Sequence, residues 1–416
     1  MGLRLLAAYF GVSLLGWVAA AIVLVLAAPR LAAGDVLATR PVLAAHLVAL
    51  AFLPAAVSGG AFHLLPVMLR NPFPRERLLV AALPLLALGA WLAAPGIAFD
   101  VPAVLWPGTA LLTLGLVAVL VELGGIVWRA PRGRLLATSR IGVGLSLFHV
   151  AAALTLGAVV FGHGDASFLG VTHARWLLVH LHVAVLGWLA LLILTVGRTL
   201  GPMLALAPAP PARRVPVEEL LLTLGLWVLA AGIAADTTSV SFVGGALVLV
   251  AVGRFAALLL RTFRARKLDP EGPLLHLVAG AAFLVQAGVL GFALLAGVGR
   301  EARGLAAYGV LLLVGWAAGV ILGHLPKLLS LSIWVWWPPG PRPKQHVLYP
   351  RRLAQAEAAA FAVGVEVFAI GVYLGNGVGA RVGASLVLAA AALVALTAAR
   401  IWSRRSRASE QPAPHV

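Results

Sequence analysis

Residues 175–205 read RWLLVHLHVAVLGWLALLILTVGRTLGPMLA, and between His182 and Arg198 there is no charged side chain. At 1.5 Å per residue such a run is long enough for the ~30 Å of hydrocarbon in a bilayer. Backbone amides and carbonyls inside lipid must be satisfied within the segment, so the run is a helix. Eleven similar runs surround it, at about 5–28, 42–69, 78–97, 103–128, 140–162, 217–235, 240–261, 274–298, 304–333, 353–374 and 381–402. The first is longer than the ~7–15 apolar residues of a signal peptide and reads as a retained helix. The chain of 416 residues is 62% hydrophobic and 11% charged, and its mean hydropathy is +1.03. Soluble domains carry about 45–50% apolar and ~25% charged residues. The sequence therefore specifies an all-α integral membrane protein of twelve transmembrane helices, and a soluble fold is excluded.

The net charge is +17, and every cation except Lys267, Lys327 and Lys344 is an arginine. The charges fall in short clusters between apolar runs, which argues against the continuous basic face of a nucleic-acid binder. Connections after even-numbered runs are the rich ones. They carry Arg70, Arg75 and Arg77; Arg129, Arg132, Arg134 and Arg140; Arg213 and Arg214; Arg261, Arg264, Arg266 and Lys267; and Arg342, Lys344, Arg351 and Arg352. Arg404, Arg405 and Arg407 follow the last run. By the positive-inside rule both termini are expected in the cytoplasm, with the protein in a bacterial cytoplasmic (inner) membrane. Residues 1–402 read as one membrane domain, 403–416 as a disordered cytoplasmic tail. The absence of Cys rules out disulfides, Fe–S clusters and thiolate chemistry. Few Met and Asn beside abundant Arg fit a thermophile, or equally a GC-rich genome.

The second and sixth runs overlay at an offset of 136 residues. His46 then meets His182, Leu50 meets Leu186, Phe52 meets Trp188, Leu53 meets Leu189 and Pro66 meets Pro202. The tenth run offers a looser copy, with Gly315-Trp316 echoing Gly187-Trp188 and Pro326 echoing Pro66. The pattern predicts a pseudo-threefold arrangement of three four-helix arcs, with the second, sixth and tenth helices equivalent.

Most of the eleven histidines lie in or beside these runs. Ionisable groups in a membrane are costly, face the bundle interior and mark function. Neutral imidazole is the commonest ligand for haem iron and copper. His46, His180 and His182 fall near the outer end of their helices. His63, His324 and His276 fall near the cytoplasmic end, and His149 near the middle of the fifth helix. Two cofactor levels are therefore expected. His180 and His182, two residues apart, point roughly 200° apart on a regular helix and serve opposite flanks. His46 and His182 are the expected partners across one haem. His180 then faces a second metal site with His149 or the loop residues His163 and His173, while His346 and His415 read as surface residues. Each buried histidine has a plainer alternative, a hydrogen bond to a neighbouring carbonyl. Glu122, Glu366, Arg198 and Arg254 lie within helices and are expected to pair with each other or with haem propionates, the arginines alternatively snorkelling to headgroups. Trp334, Trp336 and Trp337 read as an interfacial belt.

Three segments carry a resemblance: His46-Leu-Val-Ala-Leu through His63-Leu-Leu-Pro66, His180-Leu-His182 through Gly187-Trp188, and Gly323-His324-Leu-Pro-Lys327. With twelve helices in three arcs, they resemble subunit I of the haem–copper oxidase superfamily, as a short, divergent bacterial homologue. The resemblance implies non-covalent haem of the b or a type, a haem–copper centre acting on dioxygen or nitric oxide, proton uptake and an electron-donor protein as partner. On it, His46 matches the low-spin haem ligand and His180 or His182 the copper ligand of the sixth helix. The chain departs from the family elsewhere. The outer part of the tenth helix reads Leu305-Ala-Ala-Tyr308-Gly-Val310, without the His-x-His pair, and the seventh ends in Ala234-Ala-Asp236-Thr-Thr instead of paired histidines. The sixth-helix tyrosine is missing as well. The expectation is a haem-binding, redox-active membrane protein with copper as a second metal, its oxidoreductase centre degenerate. The alternatives are a non-enzymatic haem or copper sensor, store or delivery protein, and a transporter with histidine protonation sites. A homo-oligomer is compatible with all three.

Overall fold

The computed structural model describes residues 2–409 apart from 71–74, 133, 163–166, 209, 211–214, 268, 300–301 and 338–342. Twelve helices long and apolar enough to cross a membrane follow one another. They are α1 (Leu3–Ala32), α2 (Thr39–Met68), α3 (Glu76–Ala98), α4 (Pro102–Arg129), α5 (Arg134–Gly162), α6 (His173–Ala205), α7 (Val217–Ala234), α8 (Thr238–Arg264), α9 (Gly272–Leu295), α10 (Ala302–Val335), α11 (Arg351–Tyr373) and α12 (Gly377–Ser409). A single helical turn, Gln345–Leu348, precedes α11. The bounds match the apolar runs closely. α5 starts earlier than the apolar run, and α12 runs on to Ser409, so the stretch expected as a disordered tail begins as helix. Residues 410–416 lie outside the described set.

The repeat extends further than the sequence pattern. Each of α2, α6 and α10 passes from α-helical to π-helical hydrogen bonding within the membrane, at Leu47–Phe52, Val183–Ala190 and Val310–Ala318. His46 and His182 immediately precede the first two of these segments, and Gly309 the third. π-Helical widenings are rare and concentrate at functional sites.

In each arc the two helices that follow the π-bearing one, α3–α4, α7–α8 and α11–α12, form a hairpin fastened by glycine. Gly89 meets Gly108, Gly225 meets Gly244 and Gly364 meets Gly383, each pair 19 residues apart. A Cβ added at Gly108, Gly244 or Gly383 would stand 2.4, 2.2 and 2.2 Å from a backbone nitrogen of the opposite helix. Where lipid supplies no hydrophobic drive between helices, such approach of backbones is a principal source of association. The three hairpins also turn alike. Val101 N–H bonds Gly96 O at 2.9 Å, Thr237 N–H bonds Gly232 O at 2.8 Å and Asn376 N–H bonds Gly371 O at 2.8 Å. The residue before each donor is left-handed, at φ 51° for Asp100, 56° for Asp236 and 71° for Gly375. This is the helix stop in which a left-handed residue lets the chain cap its own carbonyls.

The arcs surround an inner ring. In α2, α6 and α10, 61%, 56% and 72% of the apolar span is buried, against 50% or less in every other helix. The expected pseudo-threefold arrangement is thus present in packing, turn geometry and helix distortion together. We expect Gly244→Ala to lower stability by about 1–3 kcal/mol, the usual cost of overpacking. Gly11→Ala, where a Cβ meets nothing within 4 Å, should leave it unchanged. Denaturant titration of the reconstituted protein followed by circular dichroism checks both.

Candidate functional site

At the end of the bundle away from the termini, three histidines lie near the start of the π-helical segments. His46 Nδ1 lies 2.8 Å from Val42 O, His182 Nδ1 2.7 Å from Leu178 O and His180 Nδ1 3.1 Å from Ala153 O. A carbonyl only accepts, so each Nδ1 carries the proton and each Nε2 keeps its lone pair. Tying one ring nitrogen to a carbonyl fixes the tautomer and orientation that an imidazole ligand needs.

The sixth-helix pair diverges as the 200° argument requires. His180 turns to α5, whose Ala153 it bonds, and lies within electrostatic range of His46. His182 turns to α10, where Tyr308 donates its hydroxyl to Nε2 at 3.0 Å. Where the sequence expects His46 as the partner of His182, Tyr308 is the residue that meets its Nε2. By the repeat, moving one arc onward carries His46 to His182 and the place of His180 to Tyr308, so the His182–Tyr308 pair corresponds in sequence to His46 and His180.

The His182–Tyr308 pair borders a cavity of about 290 Å³ between α6, α7, α8, α9 and α10. Its walls are otherwise apolar, with Leu178, Leu229, Val248, Leu284 and Leu312 among them, and Gly245, Gly288 and Gly291 keep it open. The volume falls just short of the ~300–1,000 Å³ of small-molecule pockets.

His149 is fully buried but has no nitrogen to offer. Nδ1 donates to Leu145 O at 2.7 Å, and Nε2 accepts from Trp227 Nε1 at 3.1 Å. Its ring fills the space over Gly187, where a Cβ would stand 2.5 Å from Cδ2. It locks α5 to α6 and α7, which replaces its expected role as a metal ligand. His173 is described but brings no partner to His180, while His163, His415 and the side chain of His346 lie outside the described residues.

The second histidine level lies at the termini end. His324 Nδ1 lies 2.6 Å from Val320 O, so its Nε2 is also a bare acceptor. His63 Nε2 meets Ser332 Oγ at 3.2 Å. His276 Nε2 meets Glu357 Oε2 at 2.9 Å, with both residues buried, and this bond ties α9 to α11. It engages the nitrogen that the expected metal role of His276 would need. His324 is within electrostatic range of His276. Among the described residues, no three or more His, Asp or Glu side chains converge as a metal-binding group.

The intramembrane charges pair with partners other than those expected. Arg198 bonds Glu218 at 2.7 Å and Glu219 at 3.4 Å, and Arg254 bonds Glu218 at 2.9 Å. Glu122 holds Arg75 at 2.8 Å, and Glu366 accepts from Gln286 at 2.6 Å. These contacts join helices and replace both the snorkelling and the propionate-binding expectations. Sequence reading missed Tyr308 as a site residue and Glu357 as the partner of His276. Tyr308 was detectable, because the 128-residue shift that aligns Gly187-Trp188 with Gly315-Trp316 carries His180 onto it. Glu357 carried no such signal.

Fold and site together define a multi-pass, all-α membrane protein with an internal threefold repeat and imidazoles displayed at its arc interfaces. No family model matches the chain, and no curated protein matches it.

Replacing Glu357 by Leu removes the partner of buried His276 and should cost roughly 1–3 kcal/mol. Arg30→Ala, which breaks the exposed Arg30–Asp35 pair at 3.5 Å, should cost about 0–1 kcal/mol. Equilibrium unfolding in detergent distinguishes the two.

Proposed function

We propose that this protein is a haem-binding redox protein of the membrane, built on a scaffold similar to oxidase subunit I and serving electron transfer or dioxygen or nitric oxide chemistry. The observation that carries the reading is His182. Its Nδ1–H is tied back to Leu178 and its Nε2 lies at the wall of a cavity whose described lining is apolar apart from His182 itself and Tyr308. That donor set fits a group needing one imidazole from this side, and Tyr308 would yield Nε2 to it. The π-helical segment beginning at Val183 sets the register that aims the ring. Leu229, Val248 and Leu284 exclude water from the same space.

Haem of a non-covalent b or a type would supply one-electron chemistry and diatomic-gas binding there. Copper, if bound, would suit His46 and His180 better than the cavity, because each has its Nδ1 tied to a carbonyl and its Nε2 left as the ligating nitrogen. Efficient turnover is not part of the proposal. Beside His182 the repeat puts the phenol of Tyr308 where the preceding arc has the imidazole of His180. This supports a carrier, sensor or weak reductant over a full oxidase, working with an electron-donor protein. The arginine-rich connections on the termini side support an orientation with both termini in the cytoplasm of a bacterium.

Absorption spectra of the purified protein, oxidised and dithionite-reduced, test the reading. A Soret band that shifts on reduction is expected. His182→Ala should remove it or change its spin state, Tyr308→Phe should keep it, and His46→Ala should spare the His182-bound component. Protein that stays colourless after haem is supplied, or spectra identical in wild type and His182→Ala, would discard the proposal.

A further inference from the structure

The termini end of the bundle contains a second space that the cofactor reading does not use. A cavity of about 760 Å³ lies between the ends of α2, α6, α9 and α10 and the start of α11. One wall is apolar, with Leu64, Leu200, Met203 and Leu331. The other carries Lys267, Lys327, Arg351 and Tyr349, with Asp269 and Glu271 beside them. Deeper in the bundle, a narrow apolar crevice of about 100 Å³ runs between α2, α6, α9 and α10, lined by Val57, Gly60, Leu189 and Val196. Leu64, Leu200, His324 and Leu328 line both spaces. The two spaces adjoin across these four side chains, a charged vestibule next to a greasy slot beside the inner ring.

The vestibule has hydrogen-bond donors to spare. Tyr349 is 2% exposed; its hydroxyl oxygen lies against the Gly272 backbone, and its proton has no acceptor among the described residues. Burial, and after it the carboxylates of Glu271 and Glu357, push its phenol far above the usual range, so it remains a donor. Arg351 Nε is also buried without a partner. Lys327 sits 2.7 Å from Glu271 and 4.8 Å from the Tyr349 ring centroid. Arg351 holds Asp269 at 2.9 Å, but that carboxylate is 79% exposed and the pair is cheap to exchange. Among the described lining residues three cations face two carboxylates, and a buried unpaired donor costs free energy until an acceptor reaches it.

We infer that this cavity is a binding site for a single-chain amphiphile with an anionic carboxylate or phosphate head. The head lies among Lys327, Arg351 and Tyr349, and the chain passes His324 into the slot beside Gly60. A soluble anion uses only the vestibule, whereas a neutral amphiphile uses only the slot. The site shares no residue with the His182 cavity, so it stands or falls independently of haem.

Titration of the full-length protein in phosphatidylcholine nanodiscs tests the inference, with decyl phosphate, inorganic phosphate and decyl maltoside as probes. Decyl phosphate should bind saturably and inorganic phosphate about a hundredfold or more weaker, since each buried methylene adds to affinity. Lys327→Gln and Arg351→Gln should each weaken decyl phosphate about tenfold, the loss of one charge-assisted hydrogen bond. Gly60→Leu, which fills the slot where a Cβ meets only Leu328 at 3.8 Å, should abolish the advantage of the decyl chain while leaving inorganic phosphate unchanged. Circular dichroism and a monodisperse elution profile establish that each variant is folded. If one charge variant fails that check, the other carries the test. Absence of saturable decyl phosphate binding, equal binding of decyl maltoside, or affinity unmoved in Arg351→Gln and Gly60→Leu would overturn the inference. Equal affinity for decyl phosphate and inorganic phosphate would overturn its amphiphile component and leave a soluble-anion site.

Discussion

The architecture depends on close backbone approach at glycine. Lipid is as apolar as leucine, so helices in a bilayer gain little from hiding hydrophobic surface from one another. What remains is contact, and contact is greatest where no Cβ intervenes. Gly89 and Gly108, Gly225 and Gly244, and Gly364 and Gly383 bring the outer hairpins to backbone distance at the same register in all three arcs. Each hairpin is then a stiff wall against which α2, α6 and α10 are held. Only with the walls fixed can the inner helices widen into π-helical turns without unravelling, because their freed backbone groups remain enclosed by packed neighbours.

The second constraint is the cost of polarity in hydrocarbon. Nearly every buried polar group discussed above has been given a partner from a different helix. Arg198 and Arg254 converge on Glu218, Glu357 on His276, Trp227 on His149 and Gln286 on Glu366. These contacts fix which helices are neighbours, a task that apolar packing alone performs poorly. The groups that stand apart are informative for the same reason. His46, His180 and His324 keep Nε2 lone pairs, and Tyr349 keeps an unclaimed proton, at the places where cavities or arc interfaces occur.

Symmetry and its breakage together locate the chemistry. A perfect threefold repeat would place the same group at every arc interface. Instead His46 precedes the first π-helical segment, His182 with its Tyr308 partner the second, and Gly309 the third. The apolar cavity opens at the second interface, where the phenol of Tyr308 can move aside without stranding a second ring.

The sequence by itself determined the class of fold. Twelve apolar runs, each too long and too poor in charge for water, leave helices across a bilayer as the only way to satisfy the backbone. It also determined the repeat, because His46, Phe52 and Pro66 recur 136 residues on as His182, Trp188 and Pro202. The divergence of His180 from His182 followed from helical pitch alone. Tertiary structure decided the pairings. Depth along a helix placed His46 level with His182, but depth says nothing about azimuth, and rotation of α6 against α10 gave His182 to Tyr308. The same holds for His149 and His276, whose nitrogens are taken by Trp227 and Glu357 from remote helices. A one-dimensional pattern records which groups must be buried; which of them meet is set by how whole helices rotate and pack, and that depends on every contact at once.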